Sequence, residues 1–460
     1  MVTILFFGLL LVSMSVALAD WRKGWYMAVL CGVLQDPARK MTPGTPVAMS
    51  MTIVLVYAVI LFAAQKQLQE SARILTQRFS RVYAAGVLLF FFLVLAAVNG
   101  LFTYGVEFWK VPALSLFTYL APVPAVVIGF TFMQSEKHLF DFFLFYAVVT
   151  SIMLIGGPLE LMHVNWSAIG MVALPEGYIR YLPGLQIRIL SGFYRAPDIM
   201  GWHAATLTII GITMALRKNL AGALPWIGFA AWGFFNCLIS GRRKAFYTVA
   251  VFGLVFLWRY LRRLTITQFV SFVLVGAALT MVVQKVSSNE ESSVYAKGAA
   301  TSRQEVFERL EGGVIETISQ FGLMGAGLGT ATQGVRHLLG HDENVGWQEG
   351  GLGKLAVELG LPGLIAAAIF VFVLVRFLLL ITSFVDEPHS TQLVRVALFG
   401  IFAANVVEFM VSAQAYSDAT LTLITAFFLG CLLATPTLAD RAAAPETEPA
   451  PRPALRPATV

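Results

Sequence analysis

Between Leu238 and Val249 the chain reads LISGRRKAFYTV. Arg242, Arg243 and Lys244 stand side by side between two apolar runs that each approach the thickness of a bilayer. Adjacent cations attract an anion, and guanidinium groups bind phosphate oxygens bidentately. A second basic group, Arg180, Arg188 and Arg195, precedes another apolar run in YIRYLPGLQIRILSGFYRAPDIMGWHAATLTII. There Gly192 and Gly201 permit tight turns or close backbone approach. Pro197 suits the first turn of a helix and Asp198 its N-terminus. Arginines beside helix N–H donors make a phosphate site; the plainer reading is a basic loop touching lipid headgroups. The third group, in VRHLLGHDENVGWQEGGLGKLAVELGLPGL, is mixed in charge: His337, His341, Asp342, Glu343, Glu349, Lys354 and Glu358. Glu349 comes just before an apolar run, where low dielectric makes a carboxylate a stronger base for a hydroxyl proton. Glu358, about two turns further on, is expected at membrane depth, either functional or paired with an arginine of another helix. His337 and His341 read as solvated loop histidines, with His341 the second catalytic candidate.

These groups need elements to hold them. The chain has 460 residues, 58% hydrophobic and only 13% charged, against about 25% charged in soluble domains. That composition excludes a soluble fold and predicts an all-α, polytopic transmembrane bundle. Apolar runs at 1–18, 47–64, 83–105, 111–133, 139–157, 199–216, 222–240, 245–263, 265–284, 355–383, 392–413 and 418–437 give about 12 spans. Residues 25–34, WYMAVLCGVL, are too short to count and read as a re-entrant or interfacial piece, or half of a further span. The first run has no basic residue before it and reads as a retained helix rather than a cleaved signal. Most lysines and arginines lie in short loops, where they set orientation rather than bind nucleic acid. Threading the spans puts the basic loops 65–82, 217–218 and 259–263 on one face, the cytoplasmic one. Loops 158–198 and 285–354 then fall on the opposite face, and so do Arg242, Arg243 and Lys244, against the positive-inside trend. A span miscounted by one is the bland explanation; cations kept there to hold an anionic ligand is the sharper one.

The organisation expected is a bundle over 1–284, a large loop over 285–354 with short helices, returning spans over 355–437 and a disordered cytoplasmic tail over 438–460, rich in proline and alanine. Within the large loop, Ser302 and Glu305 form a capping box. Apolar residues at Val306, Phe307, Leu310, Val314, Ile318 and Phe321 then recur with helical period, with Arg303 and Arg309 near the start. GLMGAGLGTATQG follows; no strand precedes it, so it is not a dinucleotide site. Cys31, Cys237 and Cys431 all lie in apolar runs and offer neither a metal site nor a disulfide framework.

Taken together, the segments resemble the bacterial O-antigen ligase and polysaccharide polymerase superfamily. RILSGFYRAPDIMGWHAATL is similar to the family's segment that leads into a helix through arginine, glycine, phenylalanine and Pro-(Asn/Asp). LISGRRKAFYTVAV is similar to its Ser-Gly-Ser-Arg-Gly motif. SRQEVFERL, FGLMGAGLGT and EGGLGKLAVELGLPGL resemble the loop helix, the Gly-x-Gly turn and the return helix. The likeness covers roughly residues 180–380. It implies a metal-independent glycosyltransferase at the periplasmic face of the inner membrane, with no cofactor. The donor would be an undecaprenyl-diphosphate-linked oligosaccharide and the acceptor a sugar hydroxyl. By that likeness Arg243, Arg303 and Arg188 hold the donor pyrophosphate, joined by Arg242 and Arg195; Glu349 or His341 activates the acceptor; Lys354 and Glu358 are further candidates. The chain departs from the pattern at two places. Arg242 replaces the motif's second serine, and Glu349-Gly350 stands where many members have His-Asn. Both weaken a lipid A-core ligase and favour a polymerase of exopolysaccharide or O-antigen, working with a flippase and a chain-length regulator. The alternatives are a ligase to another acceptor, or a transporter or flippase of lipid-linked sugars. No paired broken helices are evident, and Arg376 alone makes no basic cavity at membrane depth.

Overall fold

Helices form wherever the apolar runs are long enough to satisfy their own backbone, which lipid demands. The computed structural model describes residues 1–171, 178–182, 185–288, 293–295, 297, 314–331, 350–383 and 389–443. Among them, ten helices are long and apolar enough to cross a membrane, or eleven if the bent pair 47–63 and 65–78 counts as one span. The protein is an all-α polytopic bundle. The helices are α1 (Val2–Ala19), α2 (Trp21–Lys40), α3 (Thr52–Ala63), α4 (Gln65–Arg78), α5 (Ser80–Tyr104), α6 (Lys110–Leu120), α7 (Pro122–Phe132), α8 (Glu136–Leu154) and α9 (Gly156–Leu161). After a hairpin come α10 (Pro197–Arg217), α11 (Leu220–Ile239), α12 (Arg243–Tyr260), α13 (Ile266–Ser288), α14 (Gly351–Ile381), α15 (His389–Val411) and α16 (Ala419–Ala443).

The segment 25–34 proves to be the middle of a full-length helix. α2 folds back along α1, with Ser13 against Cys31 at 3.1 Å and Thr3 against Thr42 at 2.9 Å. It therefore runs from one end of the bundle to the other. Its end residues, Arg22, Lys23, Asp36, Arg39 and Lys40, lower its hydropathy. Yet Trp25, Ala28, Val29 and Cys31 are fully buried, so α2 faces protein rather than lipid and need not be apolar throughout. The extra pass puts residue 1 at the same end as the two long loops.

Hydrogen bonds fix which ends meet. Lys40 reaches Gly192 and Tyr194, Asn99 reaches Gly325, and Lys244 reaches Ser412; these mark the loop end. Trp21 reaches Gln67, Thr391 reaches Glu136, and Arg259 reaches Leu379; these mark the opposite end. The basic segments 65–82, 217–218 and 259–263 all lie at that second end, as the charge pattern predicts.

α10 runs through the centre, with its whole span buried, whereas the span of α13 is only 11% buried and faces outward. Close helix crossings use glycine: a Cβ on Gly129 of α7 would collide with the Phe427 carbonyl, and one on Gly430 of α16 with the Val126 carbonyl. Loop 158–198 contains an antiparallel hairpin, β1 (Tyr178–Leu182) and β2 (Leu185–Ile189), pairing Ile179 with Arg188. Its sequence signal is two runs of alternating residues around Pro-Gly. Of the tail expected over 438–460, residues 438–443 instead continue α16; 444–460 and the loop helix before residue 314 lie outside the described residues, and 314–321 is helical.

Candidate functional site at the loop end

The segment before α10 is held from both sides. The Glu160 carboxylate of α9, 3% exposed, accepts from the Ser191 and Gly192 amides at 2.9 and 2.7 Å. Lys40 of α2 donates to the Gly192 and Tyr194 carbonyls at 2.8 and 2.5 Å. Arg195 then turns inward. Its amide donates to Asp36 at 3.0 Å, and its guanidinium lies 2.7 Å from Asp418 and 3.9 Å from Asp36. Burial alone would push the Arg195 pKa down, but Asp418 and Asp36 attract its charge and hold it above its ordinary value. Asp418 also caps α16, accepting from the Leu421 amide at 2.9 Å. Arg195 thus ties the loop to α2 and α16.

The turn between α11 and α12 lies against β2, with Gly241 at φ 66° packed on Ile187 and Ile189. α12 opens at Arg243, so the N–H groups of its first turn are directed into the same region as the cations. Asp198, in the first turn of α10, pairs with Arg242 at 3.0 Å and with Lys244 at 2.6 Å. Lys244 also donates to Ser412 of α15 at 2.7 Å. Thr248, one turn on, donates to Glu408 at 2.6 Å. Arg243 is 8% exposed. Arg188 donates to His163 at 2.8 Å, and its carbonyl accepts from Tyr295 at 2.6 Å.

The third segment meets the other two through α15. Gly351, the first residue of α14, packs against the Phe409 carbonyl, one residue from Glu408 and three from Ser412. Glu358 is fully buried and accepts from the Tyr119 hydroxyl at 2.6 Å. Lys354 places its ammonium 5.6 Å from the centre of the Tyr119 ring. Behind this segment α14 breaks at Gly360, φ 65° and ψ −174°. The break separates the Leu361 amide from the Val357 carbonyl, its helical partner. The glycine turn 322–331 restores both bonds: Leu361 donates to the Leu323 carbonyl at 2.8 Å, and Val357 accepts from the Ala326 amide at 2.7 Å. The turn, exposed at 322–324 and buried over 326–331, is a brace between α5 and α14, with no nucleotide geometry.

The structure therefore brings Arg188, Arg242, Arg243 and Lys244 to one end of the bundle beside the start of α14. Glu349, His341, His337 and Arg303 lie outside the described residues. Sequence reasoning missed Asp36, Lys40, Glu160, Glu408 and Asp418. Glu408 could have been found as a carboxylate inside an apolar run, and Asp418 as a helix cap. Asp36 and Lys40 were hidden in a helix too polar to count as a span. Chemically, several cations gathered next to a helix N-terminus suit a phosphate or pyrophosphate. No protein-family model matches the chain, and a search of curated proteins finds no match either.

Proposed function

We propose that the protein is a membrane glycosyltransferase that polymerises a bacterial surface polysaccharide. The donor is a glycan on undecaprenyl diphosphate, and the site is the loop end, which the positive-inside rule assigns to the periplasmic face of the inner membrane. The observation that carries this reading is the meeting of three sequence-distant segments, 185–198, 240–248 and 351–358, around the loop end of α15. A lipid diphosphate lies at headgroup level, where Arg243, Arg242 and Arg188 are within the same basic region. There the guanidinium groups stabilise charge as it develops on the leaving diphosphate. Asp198 and Asp418 act as positioning groups that fix Arg242, Lys244 and Arg195. In the proposed step the acceptor hydroxyl attacks the anomeric carbon, the bond from that carbon to the diphosphate oxygen breaks, and Glu349 or His341 takes the hydroxyl proton.

The test is made in a strain lacking the gene, complemented with wild-type, Arg243→Ala or Glu349→Gln protein, by sizing lipid-linked glycans and surface polysaccharide. A polymerase gives single lipid-linked repeat units and no long polymer in the deletion, unrelieved by Arg243→Ala. Long lipid-linked polymer that never reaches its final acceptor identifies a ligase instead. Full-length polymer with Arg243→Ala rejects the pyrophosphate assignment.

A further inference from the structure

At the end opposite the site, the turn between α4 and α5 and the outer face of α14 enclose an open cleft of about 330 Å³. Two kinds of surface line it. Arg78, Arg81 and Arg376 supply guanidinium groups, while Phe79, Phe372 and Phe377 supply an aromatic wall. Phe79 is buried and closes the floor edge-on to Phe377, with ring centroids 4.6 Å apart. Phe372 remains 66% exposed and Leu380 58%, continuous with the outward faces of α5 and α14, whose spans are each only 22% buried.

Depth along α14 separates the two surfaces. Arg376 stands five residues before the helix end at Ile381, about 7.5 Å along the axis. Phe372 is one turn deeper. α4, which reaches the cleft with Arg78, turns 83° from the direction of the preceding helix. Its buried residues include Leu68, while Lys66, Arg73 and Arg78 are exposed, the pattern of a helix lying in the interface plane.

A soluble anion needs the cations and gains nothing from exposed aromatic rings at membrane depth. An uncharged lipid needs the wall and gains nothing from three arginines. We infer that this cleft binds an anionic phospholipid of the leaflet at the basic end, its headgroup phosphate among Arg78, Arg81 and Arg376 and an acyl chain along Phe372. Basic recesses between membrane helices hold anionic headgroups in this way. The inference is independent of what the loop end does.

Native mass spectrometry of the full-length protein in detergent tests it, with dioleoyl phosphatidylglycerol and dioleoyl phosphatidylcholine as competing probes. Wild type is expected to retain phosphatidylglycerol preferentially. The Arg81→Gln/Arg376→Gln variant should lower that preference about 25-fold, fivefold for each arginine, while Arg376→Lys largely keeps it. Lys66→Gln/Arg73→Gln, on the same interfacial helix but away from the cleft, should change it less than twofold. Should the double variant fail to fold, Arg81→Gln alone, exposed on the turn, carries the comparison at fivefold. Equal retention of the two lipids by wild type overturns the inference, and so does an equal loss with Lys66→Gln/Arg73→Gln, which means general surface attraction. Displacement of phosphatidylglycerol by millimolar glycerol 3-phosphate overturns it too, since the site would then read a soluble phosphate.

Discussion

Arg195 and Arg243 look alike in the sequence, yet their surroundings separate them. Arg195 is fixed by Asp418 and Asp36, while Arg243 opens α12 beside two cations that share Asp198. Breaking a buried pair by removing one partner costs about 3–5 kcal/mol, because the other charge stays behind. Asp198→Ala removes the buried carboxylate that Lys244 and Arg242 share, so the expected result is a loss of that size, seen as a clear drop in melting temperature in detergent. Arg243→Ala should remove polymer while the protein remains in the membrane, checked by sizing the polysaccharide and immunoblotting the membrane fraction. If Asp198→Ala melts like wild type, the Asp198 pairs do not hold the two segments together. The acidic partners, Asp36, Glu160 and Asp418, were invisible as such, because a sequence shows which residues are charged but not which distant residue neutralises them.

The break in α14 is the clearest device at the scale of elements. Gly360 adopts a conformation open essentially to glycine alone. A Cβ there would also stand 2.5 Å from the Leu323 carbonyl oxygen. Gly360→Ala is therefore expected to destabilise by more than the ~1–3 kcal/mol of backbone strain. It should also loosen the glycine turn, read as faster amide hydrogen exchange at Ala326 and Leu361. Unchanged exchange at both would mean that the turn does not depend on the kink. The glycine-rich stretch was legible as a turn, and its setting argued against nucleotide binding. Its task as a substitute for a missing helical bond was not legible, because the carbonyl it serves lies some 30 residues away along the chain.

For the molecule as a whole, the passage of α2 from end to end sets the sidedness of the N-terminal hairpin. Lys23 is therefore at the basic end, 76% exposed. Lys23→Cys should react with a membrane-impermeant maleimide from the same side as Lys218→Cys and from the side opposite Asn165→Cys. The native cysteines are all buried and give little background. Reaction of Lys23→Cys from the Asn165→Cys side would mean that α2 does not cross. The sequence by itself determined the all-α membrane bundle, ten of the twelve expected spans and the gathering of the basic loops at one end, because apolar length and flanking charge are local properties that lipid reads directly. It also singled out Arg188, Arg195, Arg242 and Arg243. Only the tertiary structure decided that α2 runs the length of the bundle and that Arg195 is paired. The same is true of Asp198 bridging two segments and of Arg376 lining an outward-facing cleft. Each of these depends on which helix packs against which, and a buried helix or a neutralised charge is defined by neighbours far away in the chain.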